Sequence, residues 1–346
     1  TAVGHRSLNS NTEGGNNVAV GAGAMYYNAT GTHNNAVGTD ILRITSGDDN
    51  NAMGYGALYF ATTCSRNHAI GSYSLYRNTT GLDNVSVGYV ALQNNVTGSR
   101  NTALGCYSLR NTTNGNDNVA IGYNSLNANT TGVSNLAIGN SALSATTTGG
   151  SNLAIGNSAM ATNTTGVQNT CVGNTADVSS ATLVNSMALG FGAIVNASNK
   201  IKLGNTLINT LECQVPVTIP SDGRFKVNIK EDVVGLNFIK RLRPITYNQD
   251  LESQDKFTVG EFSGPVKIDD VKRSGFIAQE VMEAAAVSGY EFSGVHVPWQ
   301  PDKEMYTLTY QEFVIPLVKA VQELLVKVEA QEKEIKSLKC KIELLN

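Results

Sequence analysis

Asn118-Val119-Ala120-Ile121-Gly122-Tyr123-Asn124-Ser125-Leu126 returns seventeen residues later as Asn135-Leu136-Ala137-Ile138-Gly139-Asn140-Ser141-Ala142-Leu143. The same phrase places glycines at 4, 21, 38, 54, 71, 88, 105, 122, 139, 156, 173 and 190, a period of 17 with one step of 16. A fixed period of this size signals a solenoid, in which each unit buries its face only against its neighbours. The unit is too short for a helical pair, and a Val/Ile-rich phrase followed by Gly, Asn and Thr predicts short strands and tight bends. The chain is therefore expected to be mainly β over residues 1–194, a parallel β-roll, and α+β beyond it. Its twelve coils, stacked at the strand spacing of about 4.8 Å, would give a rod of about 55 Å.

Working outward from the glycine, the residue before it is aliphatic in all twelve units, and the one before that is Ala in ten, with Ser86 and Cys171 the exceptions. Successive strand residues point to opposite faces, so two faces are restricted. One is expected to line a narrow interior and the other to pack against a partner chain, although a roll that covers its outer face itself would leave the same pattern. Four residues before the glycine stands Asn, from Asn17 to Asn169, as a stacked amide ladder or a required bend demands. The sequons that begin at Asn28, Asn78, Asn95, Asn129 and Asn163 fall at one phase of the repeat, which predicts turn chemistry rather than glycan acceptors. His5, His33 and His68 occupy different phases and are expected on the surface. The array contains no acid pair, metal cluster or nucleophile constellation. Asp177 replaces the usual Leu, Met or Ile, and Asn199-Lys200-Ile201-Lys202-Leu203-Gly204-Asn205 shortens the spacing to fourteen, which reads as a cap.

Composition changes where the repeat ends. Residues 1–215 hold eight Lys+Arg, eight Asp+Glu and no proline; residues 216–346 hold seventeen, twenty and all seven prolines, and with them the whole net charge of -3. Neither part has the basic excess that nucleic acid or an anionic membrane surface requires, and no apolar run reaches the length of a membrane span. Cys64, Cys106, Cys171, Cys213 and Cys340 are odd in number and show no metal-site spacing, so they are expected reduced or simply buried, with no metal and no cofactor. The chain opens at Thr1 inside the repeat, which leaves room for an upstream segment. Residues 195–219 are expected to form a neck in which Val215-Pro216-Val217-Thr218-Ile219 threads as strand.

The repeat phrase resembles the head repeats of trimeric autotransporter adhesins, whose unit is typically shorter, and the repeat shafts of phage and giant-virus fibres. Beyond it come Ser221-Asp222-Gly223-Arg224-Phe225-Lys226, Leu242-Arg243-Pro244-Ile245-Thr246-Tyr247, Gly275-Phe276-Ile277-Ala278-Gln279-Glu280-Val281 and a terminal heptad helix. In this order the four resemble the intramolecular chaperone domain of the S74 peptidase family, found at the ends of endosialidase tailspikes, phage neck appendages and bacterial fibre proteins. The resemblance implies a homotrimer whose domain at 220–309 templates folding of the β-structure ahead of it and then cuts itself off. It makes Ser221 the nucleophile and Lys226 the general base, with cleavage at or next to Ser221 and Asp222, Arg224, Asn228, Gln279 and Glu280 in support. The chemistry is sound from first principles, because a serine hydroxyl needs a neighbouring base and a lysine serves only where burial disfavours its charge.

The helix at 310–346 carries a coiled-coil seam, Leu317, Val321, Leu324, Val328, Gln331, Ile335, Leu338, Ile342 and Leu345. β-Branched a positions with Leu at d lean toward two strands, whereas the family implies three. A helix is expected at 278–286, and Trp299, between Pro298 and Pro301, is expected as a packing anchor. The functional expectation is a structural trimeric fibre or adhesin, on a virion, a phage-like particle or a cell surface, that attaches to a glycan or protein receptor. A cleavage-inactive domain retained as a permanent cap is the alternative.

Overall fold

The structure, a computed structural model, describes residues 1–43, 46–208, 210–214, 217–259, 268–299, 301–302 and 304–344. It divides into two units, Thr1–Ile208 and Asn209–Asn346.

The first unit is a β-solenoid whose register is the sequence repeat. Among the described residues, thirteen short strands form one parallel sheet in chain order apart from Asp177–Val178 and Ile194–Val195, which pair separately. Each strand pairs with its equivalent one coil on, as in Val119↔Leu136, Ala120↔Ala137 and Ile121↔Ile138. The shortened last step is a true coil, because Met187 pairs with Ile201 and Leu189 with Leu203. From Ala19 onward the alanines face the interior and are buried, while Ala2, on the first coil, is exposed. The aliphatic residues beside them run down the outside as a stripe that the chain does not cover, with Val3 56%, Met53 52% and Ile70 46% exposed.

Local chemistry explains why the coil closes so tightly. Gly122 sits at φ 129°, and a Cβ there would meet the Gly139 carbonyl oxygen at 2.4 Å, so the stacking distance itself requires glycine. Leu126, four residues on, adopts φ 49° and is fully buried. Left-handed backbone costs a branched residue about 1–2 kcal/mol, and full burial of a leucine returns about 1.5–3 kcal/mol. The leucine wins only because the coil encloses it.

The buried asparagines form the expected ladder. Asn135 N–H donates to Asn118 Oδ1 at 3.0 Å, and the Asn118 amide donates to the Gly132 carbonyl at 2.8 Å. Each amide thus satisfies the next coil's backbone and the next turn's carbonyl, which few other side chains can do at once. Asn118→Ala strands one buried donor and one buried acceptor, at about 1–3 kcal/mol each. A clear fall in the urea midpoint is expected; an unchanged midpoint would show that the ladder carries no stability. The sequon asparagines are buried too, and Asn95 bonds the Gly98 carbonyl at 2.8 Å, so their position is explained by the turn.

Asp177 marks the end of the regular coil. Val178 takes the interior place, and Asp177 accepts from the Thr162 hydroxyl at 2.8 Å, while burial pushes its carboxyl pKa up. Cys64 and Cys171 are buried, and burial pushes both thiols up to about 12. His5, His33 and His68 are exposed.

The second unit is small and held by aromatic packing. Four helices are described, α1 (Leu236–Ile239), α2 (Leu251–Val259), α3 (Ala278–Val287) and α4 (Val314–Glu343), with antiparallel pairs Ile245–Tyr247/Arg273–Gly275 and Val295–His296/Thr307–Leu308. Phe238 is fully buried against Tyr290, Phe292 and Phe313, and Val281, Ala284 and Ala285 of α3 close the core. α4 packs through Pro316 and Ala320, and Glu323 accepts the Leu236 N–H at 2.8 Å, capping α1.

Two expectations are corrected. Trp299 does not anchor its loop: it is 89% exposed, and the core of the unit is filled by Phe238 and Phe313, with Phe292 packed against them. Strand in the neck stops at Ile201–Leu203; no described residue from 204 to 222 is strand, and Val217 and Ile219 pair with no strand among the described residues. Val215 and Pro216 lie outside the described residues, as does Leu345 of the seam.

Candidate functional site

Ser221 and Lys226 flank one 3-10 turn, Gly223–Phe225, whose geometry is set by Asp222. The Asp222 carboxylate accepts the Arg224 N–H at 2.9 Å, Phe225 N–H donates to the Asp222 carbonyl at 3.1 Å, and Lys226 N–H donates to the Gly223 carbonyl at 3.2 Å. The Arg224 guanidinium grips the same carboxylate, with Nε 2.9 Å from Oδ2. That pairing holds the Asp222 carboxyl below the usual range and raises the Arg224 pKa. The turn folds the chain back so that Lys226 Nζ donates to Ser221 Oγ at 2.8 Å. Asp222 and Arg224 thus shape the turn that brings the two side chains together, and Asn228 beyond it has φ 55°.

The pair has the right atoms and lacks cover. Residues 217–232 are exposed throughout, with Phe225 81%, Val227 82% and Ile229 75% exposed. Here the amine donates; activating the serine requires the reverse bond, from O–H to a neutral amine, and a lysine loses its proton readily only in a desolvated place. The geometry brings a hydroxyl and an amine within hydrogen-bond reach but supplies no enclosure.

Gln279 and Glu280 are placed elsewhere in the unit. Glu280 pairs with Arg243, which joins the second sequence motif to the third and raises the arginine's pKa. Gln279 lines a cleft of about 730 Å³ with Tyr247, Gln249, Phe276, Tyr306 and Tyr310. The Phe276 N–H donates to the Tyr310 hydroxyl at 3.0 Å. Sequence reading assigned no part to Arg243, Tyr310 or the α1-capping Glu323, because each acts through a partner 34 to 87 residues away. The one available signal was that Arg243 stands inside a quoted motif. Among the described residues no group of three His, Cys, Asp or Glu side chains could hold a metal ion, and no helix is long and apolar enough to cross a membrane.

Residues 221–290 match the Peptidase_S74 family, described as the chaperone of endosialidase. The match begins at Ser221 and includes the turn, the Arg243–Glu280 pair and α3. No curated protein matches the chain.

Proposed function

We propose that this chain, whose residues 221–290 form a chaperone-of-endosialidase domain, is one subunit of a homotrimeric fibre or adhesin, on a virion, a phage-like particle or a cell surface. The solenoid is the shaft or head that meets a target-cell receptor. The C-terminal unit gathers three chains, sets the solenoids in register and then cuts the chain at or next to Ser221, with Ser221 as nucleophile and Lys226 as base, in a single turnover.

The observation that supports it best is that two apolar stripes are left open at once. One is the aliphatic row outside the solenoid. The other is the heptad seam of α4, where Val321 is 65%, Leu324 51% and Ile335 52% exposed. Exposed apolar surface on this scale marks an interface, and both stripes are regular in the way a second copy would match. The aromatic-walled cleft beside Gln279 suits a role in holding chain during assembly.

Light scattering on the purified full-length protein tests the assembly. A particle of three 36.6 kDa chains is expected; a monomer or dimer sinks the reading. The exposure of Ser221 and Lys226 favours a second reading, in which the domain stays uncut as a permanent cap.

A further inference from the structure

The solenoid carries one exposed feature that its own stacking does not require. All nine of its tyrosines fall between Tyr26 and Tyr123. Five of them, Tyr55, Tyr73, Tyr89, Tyr107 and Tyr123, lie on consecutive coils and alternate between the first and second residue after the repeat glycine. The rings interlock edge to face, with centroids 5.2 Å apart for Tyr55–Tyr73 and 5.7 Å for both Tyr89–Tyr107 and Tyr107–Tyr123. Alternation leaves Tyr55 48%, Tyr89 47% and Tyr123 54% exposed, while Tyr73 and Tyr107 sit half-buried beneath them. The result is a line of open platforms at every second coil, about 10 Å apart at the strand spacing.

The charge on these turns is one-sided. On the coils of the track, from Gly54 to Leu126, Arg77 and Arg110 stand on these turns with no carboxylate at the same phase, whereas on an earlier coil Arg43 lies 3.9 Å from Asp40. Arg110 lies over the Tyr107 ring at 5.5 Å and Arg43 over Tyr59 at 5.4 Å. At another phase of the coil Arg66 pairs with Asp83 and Arg100 with Asp117.

We propose that this tyrosine track binds an extended acidic polysaccharide, with Tyr55, Tyr89 and Tyr123 as successive stacking platforms and Arg77 and Arg110 meeting its carboxylates. Two coil spacings match the length of a disaccharide in an extended chain, so every second sugar presents the same face to a ring. A tyrosine offers that face an apolar plate with a hydroxyl at its rim. A periodic ligand explains a periodic track, which a folded protein surface would not need.

A second copy of this chain is the weaker occupant. The aliphatic stripe continues through all twelve coils, whereas the tyrosine position becomes Asn140, Asn157 and Asn174 in later ones. A like-on-like contact would also set arginines against arginines. The inference rests on the receptor-binding reading and names its face and ligand class.

The test compares the full-length wild type with the Tyr55→Ala/Tyr89→Ala/Tyr123→Ala variant. The probes are immobilised alginate and hyaluronan as carboxylated polymers, cello-oligosaccharides as neutral ones, and a single-stranded oligonucleotide. Wild type is expected to hold the carboxylated polymers, with binding that weakens as salt rises. The triple variant should lose at least tenfold at unchanged particle mass, and Arg77→Gln/Arg110→Gln should lose most of the salt dependence. Equal binding by wild type and triple variant, preference for the neutral polymer or the oligonucleotide, or no polysaccharide binding at all overturns the proposal. So does a fall in particle mass, which would make the track a contact between copies. Binding of both proteins to intact bacterial cells separates the two levels: if the variant attaches as well as wild type, the track is wrong and attachment stands, and if wild type attaches to nothing, the receptor-binding reading falls as well.

Discussion

In denaturant, the purified wild-type protein is expected to separate into two fragments whose masses meet next to Ser221, while Ser221→Ala and Lys226→Ala each give one chain of 36.6 kDa. The effect is all or none because each variant removes one half of a two-part device. Without Oγ there is no nucleophile, and without Nζ no base lies within 2.8 Å to take its proton. A general base contributes about 10²- to 10⁴-fold, enough to hold a slow single turnover below detection over a preparation. Ring geometry bears on which bond breaks. Attack of Ser221 Oγ on the carbonyl before it passes through a five-membered ring and favours Pro220-Ser221. The acyl shift breaks the amide and forms an ester on Oγ, and water then hydrolyses that ester to free the Pro220 carboxylate and the Ser221 amine. Attack of Oγ on the carbonyl of Ser221 itself would need a four-membered ring. Cleavage after Ser221 would therefore need another arrangement, such as attack across chains.

Exposure adds a condition to that result. In the single chain, Ser221 and Lys226 stand in solvent together with Phe225, Val227 and Ile229. A lysine becomes a base only where its charge is disfavoured, so cutting should appear only after assembly has covered the turn. Asp222→Ala should slow it, since the turn that folds Lys226 back onto Ser221 depends on the Asp222 cap. If wild type and both variants all give one full-length chain even when assembled, the domain is a permanent cap.

How legible these parts were follows from how far apart the cooperating residues lie. The solenoid could be read directly, because its contacts join residues seventeen apart and the sequence repeats at the same interval: Ala120 inside, Ile121 outside and the Asn118–Asn135 bond were all visible as columns. The Ser221–Lys226 pair was legible for the same reason, being closed by a single turn. What escaped was the long-range part of the C-terminal unit. Trp299, between Pro298 and Pro301, read as a packing anchor, yet it is exposed, and the core is filled by Phe238, Phe292 and Phe313 from three separate stretches. Nothing local could announce Glu323 as the cap of α1. The neck failed for another reason: alternation in Val217 and Ile219 predicts a strand, but a strand also needs an edge to join.

Removal of residues 310–346 is expected to abolish discrete particles and leave the solenoid aggregated, as read by sedimentation and light scattering. The seam of α4 is unpaired in one chain, with Leu317 46%, Val328 42%, Leu338 50% and Ile342 59% exposed, and each such residue gains about 1.5–3 kcal/mol when buried. In the proposed trimer, burial summed over three helices would offset the loss of freedom on joining them and would fix register before the solenoids meet. Without it, three aliphatic stripes must find one another at every possible offset, and a repeat of near-identical coils offers many wrong ones. The truncation also removes Ala320 and Glu323, which hold α1, so failure alone could reflect an unfolded C-terminal unit. Val328→Asp/Ile335→Asp separates the causes. Both positions are exposed in the single chain, so its fold should be kept, while six carboxylates would enter a seam that tolerates one polar layer at Gln331. The double variant is expected to match the truncation in losing trimers while retaining the α-helical signal of α4. Correctly sized trimers from either protein would place the organising contact in the solenoid stripe and remove the coiled coil from the folding step.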